Sequence, residues 1–136
     1  MPRRLSDNQF AKLLAFRVAL RRFLHWSEQQ AAGAGLTAAQ HQLLIAVRGH
    51  PDKAGPTITD IANYLSIRHH SAIGLVERAR ALGLVERHRD QKDQRLVRVR
   101  LTPMGDERVH ALAVAHLREL RRLAPLLDAL VAASEP

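Results

Sequence analysis

Residues 58–105 read ITDIANYLSIRHHSAIGLVERARALGLVERHRDQKDQRLVRVRLTPMG, and the change of period inside them decides the fold. Thr59 is placed to cap a short helix over 60–65, with Ile61 and Leu65 turned inward and Ala62 small enough for a close helix crossing. Ser66-Ile67 makes a tight turn. A second helix then spans about 68–82 and stops at Gly83, a residue suited to the left-handed position after a helix. Its apolar side carries Ala72, Leu75, Val76, Ala79 and Leu82, and its opposite side His69, His70, Ser71, Gly74 and Arg78. Past Gly83, helical spacing gives way to alternation. Residues 84–88 and 96–101 read as strands around a charged turn at 89–94. Val97 and Val99 share one face; Leu96, Arg98 and Arg100 share the other.

Working outward, Ser6 and Gln9 form a capping box that opens a long helix to about Ala32. Phe10, Leu13, Leu14, Leu20, Phe23 and Leu24 give it a broad apolar stripe, and Gly33-Ala34-Gly35 ends it. Thr37 and Gln40 form a second capping box, opening a helix through Leu43, Leu44 and Val47 that stops before Gly49 and Pro51. Residues 50–56 are a loop by their glycine and proline content. Beyond the hairpin, Thr102 caps a final long helix with Pro103 at its first position, where the missing N–H costs nothing. Pro125 is expected to start a last short helix ending near Ala133. The expectation is a single, mainly α domain over 1–136: about six helices plus a β-hairpin wing, with no internal repeat.

Composition narrows the function. The chain has 136 residues and no cysteine, which removes disulfides, thiolate zinc sites and cysteine nucleophiles. Its net charge is +8. Residues 66–101 hold nine basic and four acidic side chains and residues 1–33 six and two, while the rest is nearly balanced. A concentrated basic block is the electrostatic footprint of a polyanion. The charged N-terminus does not fit a signal peptide, and no stretch approaches the ~18 apolar residues of a membrane span, so a cytoplasmic protein without membrane contact is expected. No Gly-x-Ser-x-Gly elbow, phosphate-cradling glycine loop or His-Glu-x-x-His accompanies the Ser, His and Asp residues, so neither an enzyme nor a cofactor is expected. The eight histidines raise metal binding. His110 and His116 lie six apart, unlike the i, i+4 pair that shares a ligand, and His25 has only Glu28 as a nearby acid, so no metal is expected.

A helix pair joined by a short turn and followed by a basic hairpin is the winged helix-turn-helix arrangement. Its second helix fits the major groove of double-stranded DNA, and the hairpin can place an arginine in the minor groove. On this reading His69, His70 and Ser71 meet base edges or nearby phosphates, and Arg78 meets the backbone. At the wing tip, Arg95 enters the minor groove with Asp93 orienting its guanidinium, and Lys92 adds a phosphate contact. Arg68 and Gly74 complete the DNA-facing set. His69-His70 is also a candidate pH-responsive pair, since imidazole ordinarily titrates near pH ~6.5.

The residues also carry a resemblance. Leu36-Thr-x-x-Gln40-x-x-Leu-Leu44, Ile58–Ile67, Leu75-Val-Glu-Arg78, Leu82–Arg87 and the Asp90-x-x-Asp93-x-Arg95 wing before Leu101-Thr-Pro-x-Gly105 resemble the MarR (multiple antibiotic resistance regulator) family over about residues 6–133. The resemblance implies a transcription regulator, an obligate homodimer on pseudo-palindromic operator DNA. Residues 37–101 would form the winged-helix part. The dimerisation helices, 6–33 and 103–133, would interlock through Phe10, Leu13, Leu14, Leu117, Leu120, Leu127 and Leu130. Many members act as repressors and release DNA when a small, often phenolic, effector enters a crevice; Phe23, Trp26 and His41 are the candidate pocket here. The chain departs from the family at Ile73-Gly74, where members commonly place Ser/Thr followed by Arg, and at Arg68, where a Ser or Asp cap is usual. Two other uses of the fold stay open: a nonspecific nucleoid-type binder and a protein-interaction adaptor.

Overall fold

The computed structural model describes residues 3–134. Helix α1 (Asp7–Gly33) opens on the expected capping box: Gln9 N–H donates to Ser6 Oγ (3.2 Å) and Ser6 N–H to Gln9 Oε1 (2.8 Å). Thr37 and Gln40 repeat the device for α2 (Ala38–Gly49). The short helix α3 (Ile58–Leu65) is capped by Thr57 rather than Thr59. The reason is the partner three residues on. Thr57 has Asp60, whose N–H donates to Thr57 Oγ1 (3.1 Å) and whose carboxylate accepts from Thr57 N–H (2.9 Å); Thr59 would have had Ala62, which offers no acceptor.

Helix α4 (His69–Ala81) begins at Arg68, which makes no side-chain capping bond. It ends in a paired turn: Gly83 (φ +75°) donates to Arg80 O and Leu84 to Ala79 O. Leu82 was expected inside but is 49% exposed. It sits where the helix unwinds, and Leu84, two residues later, is the side chain that enters the core. Strands β1 (Val85–Arg89) and β2 (Val97–Leu101) pair antiparallel, Val85 opposite Leu101 and Arg89 opposite Val97. Leu96 therefore lies outside the strand. A third strand is reduced to one bridge, Thr57 to Arg98, with Val99 N–H donating to Pro56 O (2.9 Å).

The last helix, α5 (Pro103–Ser134), is continuous, so the described residues hold five helices rather than about six. Pro125 lies inside it. The ring removes one N–H, the one that would have bonded Arg121 O, and that single gap does not stop a helix carried by turns on both sides.

The chain divides into two compact units, Met1–Gln30 with Ala113–Pro136, and Ala31–Leu112. In the first, α1 and α5 run antiparallel: Gln9 Nε2 donates to Ala133 O (2.6 Å) at one end, and Ser27 Oγ bonds His116 Nε2 (2.6 Å) at the other. The second unit holds the core, in which Leu43, Leu44, Ile61, Leu84 and Val99 are fully buried together with Ala72, Leu75, Val76 and Ala79 from α4. Burial of four α4 residues on one side fixes which side of that helix is left to solvent.

Candidate nucleic-acid interface

That remaining side is polar. His69, His70, Ser71 and Arg78 are exposed, as are Arg68 just before the helix and Ile73 within it. Gly74 lies between them, with Arg78 folded back over it: Arg78 Nη1 is 3.2 Å from where a Gly74 Cβ would stand.

The wing supplies the second part. Asp90 closes its turn, because one carboxylate oxygen accepts the N–H groups of Lys92 (3.0 Å) and Asp93 (2.8 Å). Asp93 then holds Arg95 three times: Oδ1 accepts Arg95 N–H (3.1 Å) and Nε–H (3.0 Å), and Oδ2 accepts Nη2–H (3.2 Å). The Arg95 hydrogen bond leads the causes that draw the Asp93 carboxyl below the usual carboxylate range. The Arg95 side chain is 90% exposed, so a planar donor group is fixed in orientation while open to solvent. Lys92 is exposed at the same tip.

Helix and wing meet across a cleft of about 240 Å³ lined by His69, Ile73, Glu77, Arg87, Arg95 and Leu96, among others. The N-terminus of α4 and the wing arginine thus share one surface. Glu77 lines the same cleft and is held by Arg87 (2.6 Å) and Arg80 (3.3 Å), which offset its negative charge.

Several contributors were not among the sequence candidates. Arg98, which the alternation put on one strand face with Leu96 and Arg100, has a side chain only 16% exposed. Its Nε–H donates to Asp90 Oδ1 (2.6 Å) and its Nη1–H to Gly55 O (2.8 Å), with Asp52 3.7 Å away. Asp90 responds: the Arg98 hydrogen bond, ahead of the backbone donors, holds its carboxyl below the ordinary range. Gly55 (φ +94°) leaves no room for a side chain, since a Cβ there would lie 1.9 Å from Val99 O. The Asp90 turn had a local signal in its spacing to Lys92; the Arg98 contacts, 43 residues away at Gly55, had none.

The candidate effector residues divide. Phe23 and Trp26 stack in the first unit, ring centroids 5.8 Å apart, and His116 packs against both. His41 is buried in the second unit. His116, weighed in the sequence only as a metal ligand and set aside, joins this cluster because α1 and α5 run antiparallel. Among the described residues no group of three metal-ligating side chains gathers, and no helix is long and apolar enough to cross a membrane.

Comparison with known proteins gives this arrangement its context. Residues 34–96 match the MarR family model. The fold is similar to that of AbsC, a MarR family transcriptional regulator from Streptomyces coelicolor, with 21% identity, TM-score 0.70, and coverage of 90% of this chain and 82% of that one. It is similar to MepR of Staphylococcus aureus in a MepR–DNA complex (22% identity, TM-score 0.69, 82% and 81% covered). It is also similar to YusO of Bacillus subtilis (17%, 0.70, 96% and 99%). No curated protein matches the chain. With the helix pair and the Asp90–Arg95 turn inside the matched segment, residues 34–96 are similar to the MarR family, and the chain as a whole has the winged helix-turn-helix fold.

Proposed function

We propose that the protein is a sequence-specific, DNA-binding transcription regulator that works as a homodimer. The observation that carries this reading is the shared surface of His69 and Arg95, with the arginine held by Asp93 and otherwise open. The exposed face of α4 has the dimensions to enter the major groove, and the wing can place Arg95 on the minor groove beside it. His69, His70 and Ser71 would contact bases or phosphates near the helix start, Arg68 and Lys92 would contact phosphates, and Gly74 would let the helix backbone approach. The likeness to MepR, solved as a complex with DNA, supports DNA as the partner.

Dimerisation is supported by apolar side chains that one chain leaves in water. Leu14 is 64% exposed and Leu117 63%, with Phe10, Leu120 and Leu127 also exposed and Leu13 and Leu130 half-buried. A second copy would cover them. Two-fold symmetry then spaces half-sites ~10 bp apart. Repression, with release by a small-molecule effector, completes the proposal; the Phe23–Trp26–His116 cluster makes indole fluorescence its natural reporter.

The test is fluorescence anisotropy with DNA from upstream of the protein's own gene against a scrambled duplex, near physiological salt. A preference of ~10³-fold or more supports a specific regulator. Equal, salt-sensitive binding to both, repeated in a genome-wide search, makes it a nonspecific binder. Binding to neither favours an adaptor, or a protein already locked by its ligand.

A further inference from the structure

The exposed side of α4 presents His70, Gly74 and Arg78 at one-turn intervals, and Arg78 was expected to touch only the DNA backbone. Its geometry points elsewhere. Three guanidinium atoms surround the place of a Gly74 Cβ, Nη1 at 3.2 Å and Cζ and Nη2 each at 3.9 Å. The planar group therefore lies over the glycine, one turn towards the helix N-terminus, the direction in which helical side chains lean. That carries it from the helix end to the middle of the exposed face. Its neighbours are engaged otherwise: Arg80 and Arg87 with Glu77, Arg95 with Asp93, Arg98 with Asp90. Among the described residues Arg78 has no acidic partner within ion-pair distance, so its N–H donors are open. A mid-helix glycine is unfavourable by itself, and here it makes the notch in which the guanidinium rests.

We propose that Arg78 is a base-reading residue, donating two hydrogen bonds to the O6 and N7 of one guanine per half-site, and that Gly74 is the seat that aligns it. This rests on the DNA-binding reading above and specifies its chemistry. A guanidinium fork matches those two acceptors, whereas an ammonium does not reproduce both bonds. Arg78 thereby supplies an arginine at the level of residue 74, where this chain has none of its own.

The experiment measures affinity for the preferred duplex and for every single base-pair variant of it, using the full chain as wild type, R78A, R78K and G74A. In wild type, replacing one particular G·C pair per half-site costs about 5- to 150-fold. In R78A the preferred duplex binds weaker by a similar factor, and replacing that pair has no further effect. R78K keeps the salt dependence and loses the preference at that pair. G74A separates seat from scaffold. Its melting temperature rises by about 2–6 °C, while affinity for the preferred duplex falls about threefold to tenfold, a fraction of the full contact. A structural role for Gly74 alone would move both the same way. Uniform weakening of all duplexes by R78A, with the salt slope reduced by about one, makes Arg78 a phosphate contact and overturns the proposal; so does an R78A protein that binds as wild type does. A wild type with no preferred duplex overturns the DNA-binding reading itself, and shows in the wild-type titration before any variant is compared.

Discussion

An exposed ion pair between neighbours in sequence, as in Asp93 and Arg95, adds little to folding because water screens it. Its value is orientation. Replacing Arg95 by alanine should leave the melting temperature within about 1–2 °C, while weakening DNA binding about tenfold and lowering the salt slope by about one. Unchanged affinity and slope would remove Arg95 from the interface. The pairing was legible in sequence because both partners lie in one turn. His88 shows the opposite case. Burial first, then the Arg100 charge, pushes its imidazole below the usual histidine range, and Arg100 Nε–H donates to its Nδ1 (3.3 Å), which requires the neutral ring. A base whose folded value is lowered contributes stability above its unfolded value, near pH ~6.5, and loses it as pH falls towards the folded value. Wild type should therefore lose more melting temperature than H88Q between pH 7.5 and 5.5; equal losses would mean that His88 is not the group responsible. Nothing in the alternation of β1 indicated this.

At the scale of elements, the wing is held by side chains as much as by its ladder. Arg98 reaches from β2 to Gly55 O and to Asp90, and Asp90 passes the constraint to the N–H groups of Lys92 and Asp93, and so to Arg95. R98M should speed amide exchange at Lys92 and Asp93 and weaken DNA binding about as much as R95A, although the Arg98 side chain is spent on Asp90 and Gly55 O within the chain. Unchanged exchange rates at the tip would refute the relay. Asp90 is a carboxyl held low, so its contribution stands above the ordinary carboxylate range and fails only as pH falls through its folded value. Protection of the tip amides, taken relative to intrinsic exchange at each pH, should hold down through the ordinary carboxylate range and fall only below it. The elements themselves were legible: both capping boxes of α1 and α2, the Gly83 stop and the change to period two are local signals. Thr57 was misplaced by two residues because two threonines compete there and only the partner three residues on decides. The continuity of α5 through Pro125 was not legible, since proline's local cost says nothing of the turns that outweigh it.

For the whole molecule, charge and apolar surface divide the labour. The basic excess lies in the helix pair and wing and at the N-terminus, and the two most exposed leucines, Leu14 and Leu117, lie on the terminal helices. Removing residues 123–136 takes away Leu127 and Leu130 and should leave a chain that sediments as a monomer at micromolar concentration; a truncated form that stays fully dimeric would show that these side chains are not the contact. The fold class was readable because it rests on periodicities repeated over many residues. Which side chains bring distant segments together was not, because pattern has no term for contacts formed after folding. The junction at Gly55 is such a contact, and it has a direction in time. Its carbonyl and that of Pro56 wait for Arg98 and Val99, made some forty residues later, which at about 5–20 residues per second is a delay of roughly 2–8 s during synthesis. Both helices of the α3–α4 pair are made within that interval, its base stays unsealed until the interval ends, and the surface shared by His69 and Arg95 becomes whole only when the last strand arrives.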